Sequence, residues 1–393
     1  MRIALAVNRF APSTGGVETH VDRLGRELVE AGHHVTVLTH DHWSHSGPAD
    51  GQHPLPAHEM VDGMVVKRFP LVVKSQHLAV SPALGRHLAE AADLYDIVHA
   101  HSYHDSVGVM AASTWDGPFV FTPHFHGSSE SAVRNLIHRP YKLVGRKVMQ
   151  RADRLICVSG AESEHVMRTF PATIDKIDVI SNGVDVERLR SAELSPETDG
   201  RRILLAAGRL DHYKQVDRIV TAMTGLRDDF VLKVTGDGPA RDQLEELVRT
   251  HRLEADVHLL GRVPDDTLAS LFRTASCLVS MSTHEAQGIV LLEALASGTR
   301  VLASAIPAHV DVGRQAGGSV ALVPVDAHPR TIATAVRDAC REPRPDVFIP
   351  SWAEVGLQTS MLYRRVLDAS SGITARQRRK TAGGLAAVRR LVG

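Results

Sequence analysis

Thr283-His284-Glu285-Ala286-Gln287-Gly288-Ile289-Val290-Leu291-Leu292-Glu293-Ala294-Leu295-Ala296-Ser297-Gly298 decides how this chain is read. A strand-like apolar segment, Cys277 to Met281, precedes it, and an apolar helix pattern then runs to a stop at Gly298. Glu285 falls in the loop and Glu293 in the helix, eight residues on. At helical rise their Cα atoms stand roughly 12 Å apart. A helix N-terminus between two carboxylates offers free N–H groups and a positive dipole end to an anion. The layout suits a ligand with hydroxyls at both ends and phosphates between, such as a nucleotide-sugar. It suits a two-carboxylate hydrolase less well, whose acid and base lie about 5–9.5 Å apart across one bond. An ordinary capped helix with two surface glutamates is the plainer alternative.

Working outward, short apolar runs alternate with helical patterns almost throughout. The strand candidates of the first half are Ile3–Val7, Val35–Leu38, Met64–Phe69, Ile97–Ala100, Phe119–Thr122, Leu155–Val158 and Val179–Ile180. Helical patterns such as Val17–Ala31, Ser81–Ala92 and Pro140–Ala152 lie between them. The second half offers Ile203–Ala207, Val231–Thr235, Val257–Leu259, Leu278–Met281, Val301–Ala303 and Val320–Val323. Such alternation predicts parallel sheets covered on both faces by helices. Ser191–Arg201 is polar, aperiodic and holds Pro196 and Gly200, so it reads as a linker between two doubly wound domains. Ligands of such sheets bind at the carboxyl ends of strands, so a cleft between domains is the expected site.

The chain is 393 residues long, enough for two domains. Its 45 basic and 45 acidic residues cancel, which argues against nucleic-acid binding by bulk charge. Cys157, Cys277 and Cys340 are odd in number and lie in apolar surroundings, as expected of free thiols in a reducing compartment. No run approaches the roughly 18 apolar residues of a membrane span. The start on strand-like Arg2–Val7 resembles no signal peptide, so a cytoplasmic protein is expected. After a final helix pattern, Trp352–Leu367, the tail Ser370–Gly393 carries Arg376, Arg378, Arg379, Lys380, Arg389 and Arg390 and no acid. Such a tail offers contact to an anionic membrane surface or an acidic partner; a solvated terminus is its commoner use.

Other constellations fall where strands end. Ser13-Thr14-Gly15-Gly16-Val17-Glu18 sits before the first helix, where two glycines let backbone amides approach a ligand; a tight turn needs the same residues. Gly208-Arg209-Leu210-Asp211-His212-Tyr213-Lys214 follows a strand, and Arg209 with Lys214 could converge on a diphosphate. Phe121-Thr122-Pro123-His124-Phe125-His126 ends another strand, and His99, His101 and His104 cluster after the one before it. There is no His-Glu-x-x-His and no Cys-x-x-Cys, so hydrogen bonding to substrate is preferred here over metal ligation. Gly236-Asp237-Gly238-Pro239 reads chiefly as a turn. Gly261-Arg262-Val263-Pro264 is a turn whose backbone could meet a base edge.

In this order the pieces resemble the GT4-type retaining glycosyltransferases of the GT-B fold, over about Met1 to Leu367. The resemblance rests on Gly15-Gly16-Val17-Glu18, Thr122-Pro123-His124, Val158-Ser159, Asn182-Gly183-Val184-Asp185, Gly208-Arg209-Leu210 with Lys214, Gly236-Asp237-Gly238-Pro239 and above all Glu285 to Glu293. It implies two facing Rossmann-like domains: residues 1–195 for the acceptor and 196–350 for the nucleotide-sugar. A helix over 351–369 would cross back to the first domain, ahead of the basic tail at 370–393. It implies donor contacts from Gly16, Gly208, Val263, Ala286, Gln287 and Gly288. Glu285 would hold sugar hydroxyls and Glu293 ribose hydroxyls, with the Ile289 and Val290 amides on the β-phosphate. Arg209 and Lys214 would neutralise the leaving diphosphate, and His124 would lie near the donor sugar. Gly15, His101 and His126 stand as acceptor-side candidates.

The implied reaction transfers a hexose from a UDP- or GDP-sugar to an acceptor hydroxyl with retention, in glycoconjugate or natural-product biosynthesis. The implied mechanism uses no cofactor; the sequence has no Asp-x-Asp triplet, and charge stabilisation of the leaving group is what the protein supplies. Several residues depart from the family pattern: Ala286-Gln287-Gly288 where Gly-Phe-Gly is frequent, Gln215 for a glycine after Lys214, Arg300 for a proline, and Ala305-Ile306-Pro307-Ala308-His309 for a Gly-Gly-x-Pro-acid element. They leave the sugar open. An epimerase or hydrolase of nucleotide-sugars on the same fold, or a non-catalytic nucleotide-sugar-binding module, stand as alternatives. The acceptor is open as well, whether small molecule, saccharide or lipid-linked, because the insert His42–Met60 reads as a mobile loop.

Overall fold

A computed structural model describes residues 1–13, 15–41, 55–74, 79–103, 105–125, 143–195 and 200–371. Thr14, His104, His126, residues 42–54 of the expected insert, residues 196–199 of the expected linker and the tail from 372 on lie outside them. The chain divides into two compact units, Met1–Ser181 joined by the segment from Trp352 onward, and Asn182–Ser351.

The first unit runs β1 (Arg2–Ala6), α1 (Gly16–Glu30), β2 (His34–His40), β3 (His58–Val61), β4 (Met64–Phe69), the short pair β5 (Val73–Lys74) and β6 (Ala79–Val80), α2 (Pro82–Glu90), β7 (Ile97–His101), α3 (Ser106–Thr114), β8 (Phe119–Thr122), α4 (residues 143–151), β9 (Arg154–Cys157), α5 (Gly160–Thr169) and β10 (Ile177–Val179). Its main sheet has the order β10-β9-β8-β7-β1-β2-β4-β3, parallel except where β3 pairs antiparallel with β4. Alternation along β1 sorts the core onto two faces. Ala4 and Ala6 join a cluster with Leu84, Val107, Met110 and Phe121, while Ile3 and Leu5 pack with Val21, Leu24, Leu28 and Tyr363.

The second unit adds α6 (Val186–Ser191), β11 (Arg202–Ala207), a 3-10 turn at His212–Lys214, α7 (Val216–Ala222), β12 (Phe230–Thr235), α8 (Arg241–His251), β13 (Val257–Gly261), α9 (Asp265–Thr274), β14 (Cys277–Ser280), α10 (Ile289–Ala296), β15 (Arg300–Ser304), α11 (Pro307–Gln315), β16 (Val320–Val323) and α12 (Pro329–Ala339). Its six strands are all parallel, in the order β13-β12-β11-β14-β15-β16. In chain order that is third, second, first, fourth, fifth, sixth, the doubly wound pattern of a dinucleotide-binding sheet. The last helix, α13 (Trp352–Ser371), belongs to the first unit and packs on α1. His33 Nε2 meets Ser360 Oγ at 2.9 Å, and His99 Nδ1 meets the buried Tyr363 hydroxyl at 2.6 Å.

Two expectations change. The crossing between units falls at 181/182, not 195/196. Leu189 of α6 packs with Ile203, Leu205, Leu292 and Leu295 of the second unit, and Val184 pairs in parallel with Ser351. The described parts of the polar stretch around Pro196, residues 192–195 and 200–201, therefore lie inside the second unit, because polarity reports exposure and not a domain boundary. The insert is also not loop to its end: His58–Val61 forms β3, closed on β4 by Asp62 and Gly63 at φ 47° and 79°. An Asp-Gly pair between apolar residues is a two-residue hairpin signal, and it was present in the sequence.

Candidate active site

In the second unit the strand order reverses between β11 and β14, so the loops leaving their carboxyl ends diverge and open a crevice. The loop after β11 carries Gly208, Arg209 and Lys214; the loop after β14 carries Thr283 to Gly288. They are stitched together. Thr283 N–H donates to the Tyr213 carbonyl at 2.9 Å, and the Tyr213 and His284 rings stack with centroids 4.3 Å apart. Lys214 Nζ lies 2.5 Å from Glu285 Oε1, with side chains only 18% and 14% exposed. Burial alone would raise the Glu285 carboxyl, but the Lys214 ammonium holds it below its usual range. Burial likewise would lower Lys214, and Glu285 more than reverses that.

Gly288 caps α10 in the left-handed region, at φ 95°. From there α10 starts with the N–H groups of Ile289 and Val290, which the helix itself leaves unbonded. Glu293 sits half-buried one turn on. Gln287 does not line the crevice. It is 1% exposed, and its Oε1 accepts from Asn182 N–H at 3.0 Å and from Asn182 Nδ2 at 2.6 Å. Its amide thus ties the loop down to the first residue of the unit. Arg209 is paired with Asp211, its Nε 3.1 Å from the carboxylate and its side chain 48% exposed. Gly208, at φ 127°, leaves open space beside the strand end. A Cβ on Gly236 would lie 1.9 Å from the Gly208 carbonyl oxygen, and one on Gly238 would lie 2.7 Å from that of Leu210, so the Gly-Asp-Gly turn braces this loop from behind. Gln215 holds φ 48°, which explains why a glycine is favoured there. Val263 follows β13, the outer strand two places from β11.

In the first unit the order reverses between β1 and β7. Gly15 precedes α1, and a Cβ there would stand 2.4 Å from Glu18 Oε2; Glu18 pairs with Arg9 at 3.0 Å. Gly16 has nothing within 4 Å of that position, so it is the glycine that leaves room for a ligand. His101 ends β7 and is wholly enclosed, its ring 4.0 Å from that of His99, 5.3 Å from His20 and 5.8 Å from His124. Burial drives both His99 and His101 well below the usual histidine range, so both are neutral. The enclosure removes His101 from direct acceptor contact. His124 holds φ 48°, a strained backbone of the kind kept at functional positions.

His20, His101 and His124 present ring nitrogens within 4.8 Å of one another and could close on a cation. Both His101 nitrogens lack a partner among the described residues, so a ligating nitrogen would leave the other without the outer hydrogen bond that orients metal-bound imidazoles.

Two family models now meet this geometry. Glycosyltransferase Family 4 matches residues 14–188, and Glycosyl transferases group 1 matches residues 187–346. The chain belongs to the family 4, group 1 glycosyltransferases. Their junction falls close to the structural crossing at 181/182. This glycosyltransferase is 28% identical to a glycogen synthase of Mycobacterium tuberculosis over 364 residues, 87% of each chain. It is 28% identical to a D-inositol 3-phosphate glycosyltransferase of Frankia alni over 327 residues, 74% of this chain and 78% of that one. Its fold matches sucrose-phosphate synthase from Thermosynechococcus elongatus with a TM-score of 0.69 at 22% identity, over 94% of this chain and 100% of that one. Anabaena HepE in complex with UDP matches with 0.67 at 16%, over 95% and 100%. Both units are parallel-sheet α/β domains of the GT-B type.

Sequence reasoning on this glycosyltransferase missed His309. It lies in the first turn of α11, fully buried, beside Gly288 and within the field of Glu285. The available signal was positional: α11 follows β15, the strand next to β14. Cys157 and Cys277 are buried free thiols as expected, while Cys340 is half-buried. Among the described residues no helix is long and apolar enough to cross a membrane.

Proposed function

We propose that this glycosyltransferase moves a sugar from a nucleotide-diphospho-sugar to an acceptor hydroxyl, with retention at the anomeric carbon and without a metal ion. The observation that carries this reading is the Lys214–Glu285 pair, seated in the crevice between β11 and β14 at the threshold of α10. The cation and the α10 N-terminus suit a diphosphate, and Glu285 suits sugar hydroxyls. Glu293 is assigned to the ribose.

Departure of a nucleoside diphosphate leaves an oxocarbenium-like sugar, and the barrier falls as the leaving charge is stabilised. Lys214 and the amides of Ile289 and Val290 supply that stabilisation in a site largely screened from water. Arg209 joins them by swinging off Asp211. Gly16 and His124 are assigned to the donor by the family pattern. The leaving phosphate takes the acceptor proton as the new bond forms on the same face.

UDP- and GDP-sugars are the donors to try first. The relatives' names include a glycogen synthase and an inositol-phosphate glycosyltransferase, so acceptors from polymer to small polyol belong in the screen. Lipid-linked acceptors belong there too, since the basic sequence from 370 on suits an anionic surface. The test is a panel of UDP-, GDP-, ADP- and dTDP-sugars with such acceptors in EDTA, read by the anomeric configuration of the product. Inverted product, turnover abolished by EDTA, or no binding by any nucleotide-sugar contradicts the corresponding part of the reading.

A further inference from the structure

His309, fully buried in the first turn of α11, packs against the Gly288 cap of α10. Its Nδ1 lies 2.9 Å from the carbonyl oxygen of Ser304, the last residue of β15. A carbonyl only accepts, so Nδ1 carries the proton and, in the neutral ring, Nε2 holds a free lone pair. The Ser304 hydroxyl is directed elsewhere, donating to the Ser282 carbonyl at 2.5 Å. Nε2 is buried and has no hydrogen-bond partner among the described residues. It faces the helix cap: a Cβ on Gly288 would stand 3.4 Å from it and 3.2 Å from Cδ2. A buried unpaired nitrogen at a helix N-terminus is a costly arrangement that calls for an explanation.

The charges around it supply one. The groups facing His309 are Glu285 from the loop after β14, Lys214 from the turn after β11, and the Ser304 carbonyl. In the structure Lys214 and Glu285 neutralise each other, as do Arg209 and Asp211. A nucleotide-sugar brings two phosphate charges into this balanced setting. If Lys214 turns to the diphosphate, Glu285 loses its partner inside a site where unpaired charge is expensive.

We propose that His309 is a proton-accepting positioning residue of the donor site: as Lys214 moves from Glu285 to the diphosphate, Nε2 takes one proton from solvent and the imidazolium replaces the ammonium beside Glu285. One N–H bond forms as an O–H bond of a solvent hydronium breaks, leaving water, and no other covalent bond changes. The inference rests on the nucleotide-sugar reading above. In the free protein burial keeps the ring below its usual titration range, so it is neutral near pH 7. The ligand's negative charge supplies the upward push.

The experiment is calorimetric titration of the full chain with UDP-glucose, ADP-glucose and GDP-mannose near pH 7, in buffers of different ionisation heat. The diphosphate of these probes is esterified at both ends and does not itself titrate there. The expected result for the probe that binds is net proton uptake, approaching one per site. Affinity then falls as pH rises, by up to about tenfold per pH unit where uptake is complete. His309→Asn, whose amide keeps the bond to the Ser304 carbonyl, and His309→Gln should still bind but lose the uptake and the pH slope. Two outcomes overturn the proposal while leaving the transferase reading standing: no uptake by the unaltered protein, or the same uptake in a folded His309 variant. Absence of binding by every probe overturns the transferase reading, and this one with it.

Discussion

Replacing Lys214 by Met and Glu285 by Gln, singly and together, tests the core of the site. The two side chains touch at 2.5 Å and are 18% and 14% exposed. An exposed pair contributes about 0–1 kcal/mol, whereas stripping one partner from a buried pair costs about 3–5 kcal/mol. A pair this enclosed but reachable by ligand falls between, so each single change should cost about 1–3 kcal/mol. The larger cost should follow Lys214→Met, which strands a carboxylate, while Glu285→Gln leaves a longer, more adaptable ammonium. The double variant should lose about 1–3 kcal/mol less than the sum of the singles, since neither orphan remains. Turnover should behave otherwise. On the proposed reading, Lys214→Met removes charge that stabilises the leaving diphosphate and should lower kcat by about 10²–10³-fold, and the double variant should recover none of that. Denaturant unfolding gives the first quantity, and sugar release or transfer gives the second. Additive stability losses would show that the pair does not interact in solution. Recovery of turnover in the double variant would show that Lys214 serves only to hold Glu285.

The same pair predicts an acid limb. The folded Glu285 carboxyl is held below its ordinary range, so its contribution is present above the unfolded value of about 4.3 and is lost as pH falls through the folded one. The stability gap between the unaltered protein and Glu285→Gln should narrow below about pH 4; an unchanged gap in acid contradicts it. Gly236→Ala places a methyl 1.9 Å from the Gly208 carbonyl oxygen at φ 110° and should cost about 3 kcal/mol or more in unfolding measurements. Gly16→Ala meets nothing within 4 Å, so it should shift stability by less than about 0.5 kcal/mol while raising KM for the nucleotide-sugar. A stable Gly16 variant with unchanged kinetics removes that loop from the site. Gln287→Leu keeps the volume but removes the acceptor of two Asn182 hydrogen bonds, and should cost about 1–3 kcal/mol by thermal unfolding.

What the sequence made legible follows from which interactions are local. Strand positions Met64–Phe69, Phe119–Thr122 and Val320–Val323 coincide with the observed β4, β8 and β16. β8 is an inner strand buried throughout, while β4 alternates buried Met64, Val66 and Arg68 with the more exposed Val65, Lys67 and Phe69. The glutamate spacing was legible for the same reason, since a loop followed by a helix fixes its own geometry. The unit boundary was not, because α6 is assigned by the packing of Leu189 against residues far along the chain. His309 was not either. Nothing near it in sequence says that the start of α11 meets Gly288; that contact exists only because β15 lies beside β14.

Gln287 shows how a departure from a family pattern acquires a physical meaning. Placed among the donor ligands by its position between Glu285 and Gly288, it instead buries its amide against Asn182. The loop thereby gains two hydrogen bonds to the residue that opens the second unit, and the side chain adds no surface to the crevice. On the proposed reading, the groups this loop still offers a donor sugar are the Glu285 carboxylate, paired with Lys214, and the backbone of Ala286 and Gly288. Gln287→Phe should accordingly change stability more than it changes the order of preference among donor sugars, as competition between UDP-glucose and UDP-galactose would measure. A reversal of that order in a stably folded variant would place the side chain back in the crevice.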